Sequence, residues 1–251
     1  MKSKTKFKAI ICDIDGTLIL NSKDAMPSKK VAEAVSKASS KIHFGVATAR
    51  PFFYAKHITE HLQLSGPSII HGGAQIIDLP SGKVLQEKRI TASDILKIYN
   101  ITRKLNLDFL IDEASETIEM PKNWQPHDLL GAFIRSLDFK TADSLEKILS
   151  EISTIYVHKT PSWEEGKVVV DITAADAGKQ YAILEIAEIL KIKTHEIIGV
   201  GDGYNDFPFL MACGLKVAMG NAVPELKEIA DYIAPPVEED GIVDVINKFI
   251  L

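Results

Sequence analysis

Short apolar runs alternate with helical patterns at both ends of the chain, and the middle breaks that rhythm. Residues 8–12 form a buried run that predicts a strand, and residues 28–39 carry the spacing of an amphipathic helix. A second strand is predicted at 42–47, a helix at 51–62 and a third strand at 68–71. From Gly73 the pattern becomes a hairpin, with extended stretches at 74–78 and 83–86 around Pro80-Ser81-Gly82. Helical patterns at 92–104 and 141–152 are then interleaved with short extended stretches at 108–112, 117–120 and 154–158, which predicts a separate small unit with an antiparallel sheet. The stretch 120–136, with its Pro, Trp and His residues, has no readable period. Val168-Val169-Val170-Asp171-Ile172 predicts a return to the buried strands of the first unit. A helix at 178–192, a strand at 197–200, a helix at 206–213 and a strand at 216–218 follow. Strands alternating with helices imply a parallel sheet covered on both faces. The expected fold class is therefore α/β: a doubly wound, mainly parallel core from residues 1–82 and 166–251, with a smaller α/β unit inserted at 83–165.

A chain of 251 residues can bury one large domain or two modest ones. Its 46% hydrophobic and 25% charged content is that of an ordinary folded protein, so disorder is expected only at the termini. The net charge of -5 argues against a general nucleic-acid binder, which needs clustered Lys and Arg. The one basic run, Lys2, Lys4, Lys6 and Lys8, predicts a solvated strand edge. Cys12 and Cys213 both sit in apolar stretches, which indicates a reducing compartment and a cytoplasmic location. Asp13 and Asp15 cut the first apolar run short of a signal peptide, and no run is long enough to span a membrane.

Chemistry concentrates where strands end. In Ile10-Ile11-Cys12-Asp13-Ile14-Asp15-Gly16-Thr17 two carboxylates two residues apart project to one side of an extended chain, unless Asp15-Gly16 is only a turn. Gly199-Val200-Gly201-Asp202-Gly203-Tyr204-Asn205-Asp206 repeats the arrangement, with Tyr204 standing where a dinucleotide fingerprint needs its third glycine. Ligands of open α/β sheets bind beyond the carboxyl ends of the strands, so Asp13, Asp15, Asp202 and Asp206 converge if the two strands share a sheet. Like charges about 4 Å apart cost on the order of several kcal/mol at an effective dielectric of about 20. A bound cation removes that cost, and oxygen ligands alone select a hard ion, with Mg2+ the best match. Thr48 ends the second strand, where its hydroxyl can cradle an oxyanion or cap the helix beginning at Pro51. Lys179 opens the helix at 178–192. Gly178-Lys179 is no P-loop, because Thr173 and Gln180 occupy its required Gly and Ser/Thr positions.

In this order the pieces resemble the four motifs of the haloacid dehalogenase superfamily of phosphohydrolases: Asp13-Ile14-Asp15-Gly16-Thr17, then Thr48, then Lys179, then Gly201-Asp202-Gly203-Tyr204-Asn205-Asp206. The inserted block and Val217-Ala218-Met219-Gly220-Asn221-Ala222 are similar to Cof-type members, which carry a large cap between the second and third motifs. Two departures stand out: Thr48-Ala49-Arg50 replaces the usual Thr-Gly-Arg, and Gly72-Gly73-Ala74 replaces Asn-Gly-Ala, in the loop that leads into the cap.

The resemblance implies a Rossmann-like core and a Mg2+-dependent phosphatase acting on small phosphate monoesters, such as sugar phosphates or phosphoglycolate, through an aspartyl-phosphate. It implies Asp13 as nucleophile and Asp15 as acid and base, a role that a raised pKa from crowding would suit. It implies Thr48 and Lys179 on the phosphate. Metal would be held by Asp13, the Asp15 carbonyl and Asp202, with Asn205, Asp206, Gly16 and Arg50 in support. Gly72, Gly73 and part of 120–136 are expected on the specificity surface. The expected partner is a small phosphorylated metabolite, with neither nucleic acid nor membrane, and the chain as monomer or homodimer. A phosphomutase, or a non-catalytic phosphometabolite-binding protein, is the alternative reading.

Overall fold

The computed structural model describes residues 6–113 and 116–251, so Lys2 and Lys4 of the basic run lie outside it. Strand β1 (Ala9–Cys12), helix α1 (Lys29–Ser39), strand β2 (His43–Val46), helix α2 (Phe52–His61) and strand β3 (Gly66–Ile70) come in the predicted order. The Ser28 hydroxyl accepts the Val31 N–H at 3.2 Å and so starts α1 where the sequence puts it. Strands β4 (Gln75–Leu79) and β5 (Lys83–Glu87) form the predicted hairpin.

Helix α3 (Ala92–Lys104), strands β6 (Leu110–Asp112), β7 (Thr117–Glu119) and β8 (Ala132–Leu137), helix α4 (Phe139–Leu149) and strands β9 (Ile155–Pro161) and β10 (Val168–Ala174) make up the middle of the chain. It closes with α5 (Lys179–Leu190), β11 (Ile197–Gly201), α6 (Phe207–Met211), β12 (Leu215–Ala218), α7 (Pro224–Ile229), β13 (Tyr232–Ile233) and α8 (Gly241–Phe249).

The core sheet is wholly parallel in the order β13-β12-β11-β1-β2. Along β1, Ile10 and Cys12 pack with α1 and α8 on one face, while Ala9 and Ile11 pack with α5 and α6 on the other. Side chains that alternate between two apolar layers explain why this strand is apolar at every position. Cys12 pairs with both Val46 and Val200, so β1, β2 and β11 end level with one another. Level strand ends bring the first, second and fourth motifs to one edge.

A second sheet, β7-β6-β8-β10-β9, is antiparallel throughout. Its two faces differ. Ile111, Ile134, Val170 and Ile172 face α3 and α4 in a separate apolar cluster, whereas Asp112, Phe133, Arg135, Val169 and Asp171 line the cleft over the core.

Two expectations of domain membership need correction. Val168–Ile172 is predicted to rejoin the core, but β10 lies between β8 and β9 in the second sheet. Its residues alternate between the cleft side and the cap helices, with Asp171 and Thr173 on the polar side, and not between two apolar layers. Lys83 is predicted to open the inserted unit, but β5 pairs with β4 and stays in the three-stranded β3-β4-β5 sheet. Ile90, bridged to Leu129, is the first residue of the second apolar cluster. We therefore propose that the chain crosses into the cap near residues 88–90 and returns near 175–178.

Candidate active site

Asp13 follows β1, and its N–H donates to the Val200 carbonyl at 2.9 Å, so the parallel ladder continues one residue into the motif and fixes the carboxyl beside β11. Asp202 and Asp206 follow β11 through a tight 3-10 turn at Tyr204–Asp206. Asp206 is fully buried, and its Oδ2 accepts the N–H groups of Asp202 and Gly203 at 2.9 and 3.0 Å. Its Oδ1 accepts from Lys179 Nζ at 2.7 Å. Both oxygens are thus committed to holding the loop and the lysine. Lys179 also reaches Asp13 Oδ1 at 3.1 Å, which places one ammonium between two carboxylates. Burial acts against the Lys179 charge, but Asp13 and Asp206 outweigh it and hold its pKa well above the usual range.

Even so, negative charge exceeds positive. Burial first, and then the Asp206 charge, push Asp13 up to about 7, and the same two causes raise Asp202 well above its ordinary value. Oxygens of Asp13, Asp202 and Asp206 lie within 4.8 Å of one another, and the buried Oδ1 of neighbouring Asn205 has no hydrogen-bond partner. Crowded hard oxygens with an unspent acceptor fit a divalent cation such as Mg2+. Gly16 makes the crowding possible, since a Cβ there would sit 2.1 Å from Asp202 Oδ2. Thr17 Oγ1 donates to Asp202 Oδ1 at 3.1 Å, and Asn221 Nδ2 donates to the Gly16 carbonyl at 2.8 Å.

Asp15 is placed differently from the crowded carboxyl that the sequence suggests. Arg50 forks onto it, with Nε to Oδ2 at 2.8 Å and Nη2 to Oδ1 at 2.6 Å. The buried guanidinium is itself oriented by the carbonyls of Ser22 and Lys23. Trp163 of the cap donates Nε1 to Asp15 Oδ1 at 3.4 Å and lies over the Arg50 guanidinium, 5.2 Å from ring centroid to Cζ. The crowding falls on Asp13 and Asp202 instead. Thr48 does not cap α2, whose first turn follows Pro51 with no side-chain cap; its Oγ1 accepts the Arg50 N–H at 3.1 Å and faces the cleft.

Asp13, Asp15, Thr48, Arg50, Asp202 and Asn205 line one cleft of about 360 Å³ between the two sheets, and cap residues from β6 to β10 form its opposite wall. Lys179 and Asp206 lie beneath its floor. From the unreadable stretch, Phe133, Arg135 and Ser136 reach the cleft on or beside β8. Gly72 lines a recess adjoining it. Gly73 does not reach the cleft: it lies against the Ala177 carbonyl and the Lys179 backbone. Sequence reasoning misses Trp163, Asp171, His71 and His158, which come together only through packing of the cap on the core. In Asp171 and Thr173 the alternation of β10 carried a signal; for Trp163 the sequence carried none.

A model of the haloacid dehalogenase-like hydrolase family matches residues 10–128 and 128–246. The chain is 26% identical over 249 residues to a 5-amino-6-(5-phospho-D-ribitylamino)uracil phosphatase of Bacillus subtilis (strain 168), covering 97% of this chain and 96% of that protein. It is 24% identical to a phosphoglycolate phosphatase of Staphylothermus marinus, with 95% of each chain covered. A solved haloacid dehalogenase-like hydrolase from B. subtilis superposes with a TM-score of 0.85 at 21% identity, over 97% of this chain and 100% of that one.

Proposed function

This chain belongs to the haloacid dehalogenase-like hydrolases as a phosphoric monoester hydrolase, and from that premise we propose a Mg2+-dependent phosphatase of small monoesters working through an aspartyl-phosphate. The observation that carries the reading is the buried Asp13–Lys179–Asp206 arrangement beside Asp202, at the floor of a cleft large enough for a small metabolite. An Asp13 oxygen attacks phosphorus as the bond to the leaving oxygen breaks, which divides one hard displacement into two easier ones. Asp15 gives its proton to the departing alkoxide and then takes one from the water that attacks the aspartyl-phosphate. Thr48 offers its hydroxyl proton, and Lys179 its charge, to the phosphoryl oxygens, because positioning and charge stabilisation dominate phosphoryl transfer.

Asp13, the Asp15 carbonyl and Asp202 would hold the cation. When bound, the ion supplies positive charge to the phosphoryl group. Asp206 keeps to its two loop N–H groups and Lys179, and Asn205 stands ready with its free acceptor. Arg50 and Trp163 orient Asp15 toward the cleft. Two unpaired cysteines support a cytoplasmic setting, with the chain acting as monomer or homodimer.

The test is release of inorganic phosphate from a panel of phosphate monoesters by purified protein with Mg2+. Activity should vanish in excess chelator and return with added Mg2+. Full turnover in chelator contradicts the metal, release from no ester contradicts the hydrolase, and phosphate moved within the substrate would identify a mutase.

A further inference from the structure

Four buried side-chain polar atoms among the described residues lack a hydrogen-bond partner, and three of them, His71 Nδ1, His158 Nδ1 and Thr173 Oγ1, belong to residues that line one small recess. All three residues are more than nine-tenths buried, at 7%, 6% and 4% exposure. Buried polar groups are normally satisfied, so three residues with orphan atoms lining one small space point to a polar partner there. The recess has room of about 10 Å³, enough for one small polar group. It adjoins the phosphate cleft, with Asp112, Phe133 and Asp171 lining both. His71 comes from the core loop after β3, while His158 and Thr173 come from neighbouring cap strands, so the recess exists only with cap and core together.

Its chemistry is selective. No Lys or Arg lines it. Burial pushes His71 down to about 4 and His158 to about 3, so both rings are neutral near pH 7. The wall next to them carries two carboxyls, each with one oxygen tied to a threonine, Thr117 to Asp112 at 2.6 Å and Thr160 to Asp171 at 2.5 Å. A neutral imidazole offers one donor and one acceptor, and a threonine hydroxyl offers both. An alcohol matches that set. A carboxylate or second phosphate there would sit against Asp112 and Asp171 with no Lys or Arg in the recess lining to pair with it.

Resting on the phosphatase reading above, we infer that this recess is the specificity pocket for an uncharged hydroxyl of the leaving group, so that hydroxyl-bearing, non-acidic esters are the preferred substrates. Arg135, which lines the wider cleft, would favour an acidic ester instead, and the test separates the two.

The experiment compares kcat/KM of the full chain with Mg2+ on three esters of equal chain length: a hexitol monophosphate, the corresponding hexonate monophosphate, and hexyl phosphate. The hexitol ester should exceed both others by at least about tenfold, because a site built for a hydroxyl rejects analogues that lack it. Thr173→Val, nearly the same in shape, and His158→Leu should each lower the hexitol-to-hexyl ratio several-fold, mainly through KM. A hexonate ester used as well as the hexitol ester overturns the inference, and so does a ratio unmoved in Thr173→Val, which would leave the recess as the seat of a bound water. The wild-type comparison stands even if a variant fails to fold. Release of phosphate from none of the three, nor from phenyl phosphate, overturns the phosphatase reading itself.

Discussion

Burial pushes the Asp112 carboxyl from 3.8 up to about 7. The folded chain therefore keeps a proton that the unfolded chain has released, and this group's contribution to stability falls as pH rises from 3.8 to about 7 and is level above that. Asp112→Asn removes that slope. Melting temperatures across this window should favour the variant increasingly toward pH 7, and parallel curves would contradict the burial argument. The same residue shows where sequence reading stops. Asp13, Asp15, Asp202 and Asp206 are legible because strand ends and glycine turns leave a local mark, and level register does the rest. Asp112 carries no such mark and Asp171 only the alternation of β10, since they line the cleft between the two sheets. Asp15 is legible as a strand-end carboxylate but not in its setting, because the Arg50 fork is a tertiary contact.

Helix α5 matters less for its length than for where its first residue lands. Gly73, with φ of 109°, lets the loop after β3 press on the start of α5; a Cβ there would lie 2.2 Å from the Ala177 carbonyl and 2.7 Å from the Lys179 nitrogen. Neither backbone can yield cheaply. Gly73→Ala should cost at least about 2 kcal/mol from the clash and the unfavourable backbone conformation together, and it should lower kcat by displacing Lys179. Thermal denaturation and steady-state kinetics check both, and an unchanged melting temperature would refute the packing argument. At this scale the core elements were legible from their periodicity. Val168–Ile172 reads as continuously apolar and so suggests a core strand, whereas its true period is two, with Val168, Val170 and Ile172 toward the cap helices. Strand β8 is hard to read because Phe133, Arg135 and Ser136 all line the cleft while Ala132, Ile134 and Leu137 join the apolar cluster, so an aromatic stands on the polar side and the alternation breaks at Ser136.

Cap and core meet over the site, in part through the loop between β9 and β10. Asn21 donates to the Ser162 carbonyl at 3.1 Å, and Trp163 reaches Asp15, Arg50 and the edge of Tyr54. Trp163 remains 44% exposed, so its worth to global stability is small. Trp163→Ala should lower kcat/KM by about tenfold, the scale of one cation–π contact plus one hydrogen bond, while shifting the melting temperature little. A large loss of stability with unchanged kinetics would show that the tryptophan serves packing and not Asp15.

The most direct test of the whole account is turnover by Asp13→Asn, with its fold checked by circular dichroism, on any ester that the wild type hydrolyses. An amide at this position keeps the shape but cannot form the aspartyl-phosphate. The account predicts a loss of at least about a thousandfold in kcat with the fold intact. Phosphate release within tenfold of wild type would contradict it.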